Sequence, residues 1–151
     1  MKDNPYYPFN QVHSNRYTFV STGKRPIKKA VDFTYTGWGK IVNMGFGDLL
    51  PDGTVDDKAN SNNGDLVMVL GTTIEILKMF TVQFPDAEIF IAGSTQARTR
   101  LYTRIVKNYY SKFSKEFIIS VLTKEGDAYI EMPYEPKSHI AFIGFLIKRI
   151  S

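Results

Sequence analysis

The chain contains no cysteine. That absence excludes a disulfide framework, thiolate zinc sites and a cysteine nucleophile, and it fits a reducing compartment. Histidine is almost as scarce, with only His13 and His139. Neither has a spacing that ties it to a serine, which argues against a Ser-His hydrolase. Asp52, Asp56 and Asp57 lie close together, but the EF-hand spacing and its terminal glutamate are missing. No metal and no cofactor are expected. No apolar run approaches the ~18–20 residues of a membrane span. The segment Met1-Lys2-Asp3-Asn4-Pro5-Tyr6-Tyr7-Pro8 lacks the apolar stretch of a secretion signal. A cytoplasmic protein is the expectation.

What the chain does have is size, aromatic content and a mild excess of positive charge. Its 151 residues suit one domain with an ordinary core. Nine Tyr and eleven Phe make that core aromatic-heavy. The net charge of +4 permits anionic partners without demanding them.

Residues 1–15 hold two prolines and read as an N-terminal arm. Residues 16–21, 27–35 and 40–47 read as three strands of an antiparallel meander, separated by Gly- and Pro-containing turns. A polar loop follows over 48–63. Leu66, Leu70, Ile74, Leu77 and Phe80 then fall at helical spacing, and Pro85 bounds the helix. Residues 88–92 form a short apolar strand, 95–113 a second helix, and 116–123, 128–132 and 140–148 three further strands. The order β-β-β-α-β-α-β-β-β predicts a single α+β domain over 1–151, with two helices packed on a mixed or antiparallel sheet. A ribonuclease H-like topology shares much of this order and is the alternative. Its metal carboxylates would have to come from Asp32, Asp48 and Asp65, whereas the fourth strand ends in Gly93-Ser94 and not in an acid.

The segment richest in chemistry runs from Ile89 to Arg104. A strand leads into Gly93-Ser94-Thr95, and an arginine-rich helix follows at once. Small residues at a strand end, free helix N–H groups and nearby cations make an anion site. Gly93, Ser94, Thr95, Arg98, Arg100, Tyr102 and Arg104 are the candidate ligand-binding residues, and Asp48, Asn62 and Asn63 a candidate second wall. Projected at 100° per residue, the helix separates Ala97, Leu101, Tyr102, Ile105, Val106, Tyr109 and Phe113 from Arg100, Arg104, Lys107, Ser111 and Lys115. The second group is either a solvated face or a basic stripe that tracks phosphates. Arg98 falls on the apolar side, so its guanidinium needs a partner. Two partners are open: an internal aspartate (Asp48, Asp32 or Asp65), or a ligand phosphate or carboxylate. Ser94 and Thr95 are also natural N-caps.

Trp38, the sole tryptophan, stands between two glycines and reads as a lid on the core, with an exposed stacking residue as the alternative. The apolar run 140–147 is either a central strand or an edge covered by a second subunit, which makes a homodimer an expectation.

Gly45-Phe46-Gly47-Asp48, Ser61-Asn62-Asn63-Gly64-Asp65, Gly93-Ser94-Thr95 with Ala97-Arg98-Thr99-Arg100-Leu101-Tyr102, and Phe145-Leu146-Ile147-Lys148 together resemble an uncharacterised family of small Bacteroidota proteins. That resemblance spans nearly the whole chain. It implies a bacterial cytosolic protein, with no activity and no catalytic residues to carry over. The function expected from the residues is binding of an anionic ligand, a nucleotide or nucleic-acid phosphate, at the start of the second helix. The alternative is a protein-interaction or homodimeric module without catalysis, for example a partner in a two-gene stress or defence system.

Overall fold

The computed structural model describes residues 5–57, 62–93, 95–138 and 141–150. Ser61, Ser94, His139 and Ile140 therefore lie outside the described residues. The chain packs as two compact units, Met1–Thr34 with Gly45–Phe84 and Tyr35–Met44 with Pro85–Ser151.

The first unit is built on strands β1 (Phe9–His13), β2 (Arg16–Ser21) and β3 (Ile27–Tyr35), all but the last residue of β3 belonging to it. β1–β2 and β2–β3 pair antiparallel, Tyr17 opposite Val31 and Phe19 opposite Lys29. The later residues of β4 (Ile41–Leu49) and the two-residue β5 (Val55–Asp56) also belong here and pair antiparallel, Asp48 opposite Asp56. Helix α1 (Leu66–Gln83) supplies the other side of the core. Its Phe80 ring lies 3.9 Å from that of Phe33 and nearly parallel to it, and Tyr17 meets Phe33 edge-on.

Against the expectation that no apolar run approaches a membrane span, α1 has the length and apolar composition of a membrane-crossing helix. Ten of its residues are nevertheless buried within the protein, which is the pattern of a core helix. The hydroxyls of Thr72, Thr73 and Thr81 donate to carbonyls of their own preceding turn, so these buried polar groups are satisfied. Gly71 leaves room for the arm: a Cβ there would overlap the Pro5 carbonyl.

The second unit takes the beginning of β4, then β6 (Glu88–Ile91), α2 (Gln96–Glu116), β7 (Phe117–Glu125), β8 (Ala128–Pro133) and β9 (Gly144–Arg149). Its strand order is β4-β6-β9-β7-β8, with β4–β6 parallel and the remaining pairs antiparallel. This is a mixed sheet. β6 and β7 both run antiparallel to β9, so α2 is the crossover between two parallel strands with β9 inserted between them.

Nine strands and two helices among the described residues make an α+β fold, in the order the sequence predicts apart from three details. β1 falls inside the expected arm. β5 falls inside the expected loop. The last strand begins at Gly144 and not near residue 140. The third matches the end of β6 at Ile91, which lies opposite Phe145. The apolar run Phe145-Leu146-Ile147 is buried because β9 is flanked on both sides, which accounts for it as a central strand.

Candidate functional site

The start of α2 shows what Gly93 does. A Cβ at Gly93 would overlap the Thr99 backbone nitrogen and lie 2.7 Å from the Arg98 carbonyl carbon. The first helical turn is folded down onto this glycine, so the space a side chain would need is filled by the helix itself. Thr95 is the N-cap: its backbone is extended and its hydroxyl accepts from the Arg98 N–H at 3.2 Å. The Thr99 hydroxyl donates to the Thr95 carbonyl at 3.1 Å. Gly93, Thr95 and the Arg98 backbone are thus brought together by helix initiation, a role that requires no ligand. Ser94 lies outside the described residues.

Arg98 is 7% exposed and Tyr102 4%, both on the buried side of α2 with Ile105, Val106 and Phe113. Ala97, projected onto that side, is exposed. The three aspartates considered as partners for Arg98 each have other engagements. Asp32 accepts two hydrogen bonds from Arg16, at 2.6 and 2.8 Å, and this contact pushes the Arg16 guanidinium further up from its ordinary pKa. Asp48 pairs with Lys29 at 2.5 Å. Asp65 accepts from the Tyr7 hydroxyl at 2.5 Å and from the Ser21 hydroxyl. The ribonuclease H-like alternative needs these acids to converge on metal. Among the described residues no group of three His, Asp or Glu could hold a metal ion.

The residues offered as a second wall make their contacts within the first unit. Asn63 is buried and holds the turn after β2. Its amide nitrogen donates to the Ser21 hydroxyl and the Arg25 carbonyl, and its side-chain oxygen accepts from the Arg25 N–H. Asn62 adopts φ 44°, the left-handed turn conformation that asparagine tolerates. Asp48 is occupied by Lys29, a residue the sequence reading passes over. The signal for Lys29 was available, since it alternates with Val31 and Phe33 on the buried face of β3. Asp52 caps its own turn: the Thr54 hydroxyl and N–H donate to it, holding its carboxyl below the usual range.

An open groove of about 990 Å³ also lies on the first unit, lined in part by Val12, His13, Arg16, Val20, Lys28 and Leu50. Its Arg16 is already committed to Asp32.

The contrast is on the solvent side of α2. Arg100, Arg104, Lys107, Ser111 and Lys115 are all exposed, as the projection predicts. They fall within an arc of about 80°. α2 carries Arg98, Arg100, Arg104, Lys107, Lys112 and Lys115 against a single acid, Glu116. Among the described residues, no carboxylate forms an ion pair with Arg100, Arg104, Lys107 or Lys115.

A family of unknown function, DUF6934, matches residues 3–150. The chain belongs to that family. No curated protein and no solved structure matches it. Membership in DUF6934 assigns no activity, so the functional reading rests on the α2 face and its surroundings.

Trp38 departs from the expected core lid. It is 70% exposed at the tip of the β3–β4 hairpin, beside Tyr35 at 61%. The reason is local geometry: Gly37 and Gly39 both take positive φ (80° and 57°), which turns the chain back within four residues and leaves the indole beyond the strands.

Proposed function

We propose that this chain binds the phosphate backbone of a nucleic acid along the exposed face of α2. The observation that carries the reading is the row Arg100, Arg104, Lys107 and Lys115, exposed on one side of a 21-residue helix with no carboxylate pairing to them among the described residues. At a rise of 1.5 Å per residue, Arg100 and Lys115 are separated by ~22 Å along the axis. That is a line of charge and not a pocket, which suits a polymer of phosphates better than one nucleotide. Fixed cations facing a polyanion gain free energy by releasing its condensed counterions. The same geometry speaks against a compact cradle at the helix start, where Thr99 packs on Gly93 and Arg98 is buried.

The test is oligonucleotide binding as a function of salt. The wild type is expected to bind at low salt and to weaken steeply as salt rises. Neutralising Arg100, Arg104 and Lys107 together to Gln is expected to lower the slope of log K against log salt by about 2 for a single strand. Undetectable affinity at low salt, or affinity indifferent to salt, would overturn the proposal.

A further inference from the structure

The second unit displays aromatic surface as well as charge. Trp38 and Tyr35 are the two most exposed aromatic rings that the hairpin offers, and Lys40 beside them is exposed too. The hairpin is rigidly built. The Tyr35 hydroxyl donates to the Gly39 carbonyl at 2.7 Å, the Thr36 hydroxyl to the Ile41 carbonyl at 2.8 Å, and the Trp38 N–H to the Thr36 hydroxyl at 3.2 Å. The Thr36 N–H and the Ile41 carbonyl close the turn. The phenol of Tyr35 is thereby held at its far end.

Strand register places this hairpin relative to α2 within the same unit. Ile41 lies opposite Glu88, Glu88 opposite Lys148, and Lys148 opposite Ile118. The Lys40 carbonyl accepts from the Glu88 N–H at 3.0 Å. α2 ends at Glu116, directly before β7 begins at Phe117. The hairpin, the start of β6, the end of β9 and the C-terminal end of α2 therefore share one edge of the sheet. From β4 to β7 is three strand spacings, ~14 Å. Lys40, Lys148 and Lys115 are exposed along that edge, among the acids Asp86, Glu88 and Glu116. From Lys115 the cationic row of α2 leads on toward Arg100.

We infer that the nucleic acid bound by α2 is single-stranded, and that Trp38 and Tyr35 form the platform on which its unpaired bases stack. The inference rests on the phosphate-binding reading above and adds the strandedness of the ligand. Bases inside a duplex have their faces covered, so exposed rings at the same end of the sheet as the start of a cationic track suit unpaired bases. Stacking of bases on aromatic side chains, combined with a basic path for the backbone, is the general chemistry of single-strand recognition. A duplex would use the α2 row alone.

Trp38 is the only tryptophan, so its fluorescence reports on this site without labelling. The probes are an oligothymidylate of about twenty nucleotides, a duplex of the same length and inorganic polyphosphate. The expected results are quenching of Trp38 by the oligothymidylate and tighter binding of it than of the duplex. Trp38→Ala is expected to weaken binding of the single strand by about ten- to a hundredfold, with Trp38→Phe restoring most of it and polyphosphate binding unchanged. Because Trp38 is 70% exposed, its removal leaves the core intact. If the oligothymidylate binds without quenching and Trp38→Ala binds like wild type, the stacking inference falls while the phosphate reading stands. If none of the three polyanions binds at low salt, the phosphate reading falls and the inference with it.

Discussion

The first compact unit holds eight Lys and Arg against eight Asp and Glu, whereas the second holds eleven against seven, so the net charge of +4 sits wholly in the second. The units also use their charges differently. In the first, Arg16 is bound to Asp32, Lys29 to Asp48 and Lys78 to Glu75, and the buried Asn63 and Ser21 close a turn around Asp65. Polar groups there hold the fold together. In the second, α2 has six cations and one acid, and the hairpin at Trp38 leaves two aromatic rings in water. Arrangements that satisfy themselves are those of a scaffold. Arg100, Arg104, Lys107 and Lys115 are exposed with no carboxylate pairing to them among the described residues, and on the proposed reading this is the face that binds.

The largest effect that tests this division is on stability. Phe80→Ala removes the ring stacked on Phe33 at 3.9 Å in the core of the first unit. It is expected to cost about 3–5 kcal/mol in denaturant unfolding. Hydrogen exchange on the same variant should show amides of α1 losing more protection than amides of α2. Equal loss in both helices would mean that the two units open as one cooperative block.

Next comes Gly93→Ala, which asks whether the start of α2 belongs to packing or to a ligand. The added methyl must displace the Arg98–Thr99 backbone. The expected cost is about 1–3 kcal/mol of stability with no ligand present, read by thermal unfolding in low-phosphate buffer. Unchanged stability with weakened polyanion binding would instead return Gly93 to the binding surface and remove the contrast between cradle and stripe.

What the sequence made legible follows from the range of the forces involved. The two faces of α2 were readable because helical periodicity is local, and every cation assigned to the outer face is exposed. The α+β order was readable for the same reason. β5 was not, since two residues carry no period. Nor was β1, whose residues from Asn10 to His13 are all exposed and show no apolar alternation. The exposure of Trp38 depends on whether some distant segment covers the hairpin, which no local pattern records. Gly93 misled for a related reason: a glycine that lets a ligand approach and a glycine that lets a helix approach have the same sequence signature. The Asp48 partner, Lys29, is readable in principle from strand alternation, but a lysine on a buried face is rare, so the pattern alone does not point to it.

The smallest effect separates the units by their buried phenols. Burial raises the pKa of Tyr17 in the first unit and of Tyr134 in the second above the ordinary tyrosine value. The second contributions have opposite signs. The Gln83 amide donates to the Tyr17 phenol oxygen at 3.3 Å, which favours the phenolate and draws the value back down. Tyr134 faces Tyr110 with ring centroids 5.5 Å apart, and charge on that neighbour raises it further. A raised phenol stabilises the fold fully below the unfolded pKa of about 10. That stability is lost as pH climbs through the folded value. Both units should therefore weaken as pH rises above about 10. Alkaline titration followed by tyrosinate absorbance, comparing wild type with Tyr17→Phe and Tyr134→Phe, reads these two phenols by difference among the nine tyrosines. Each substitution should remove one phenol from the late, high-pH part of the curve, and loss of a phenol from the early part instead would show that burial does not hold that group up.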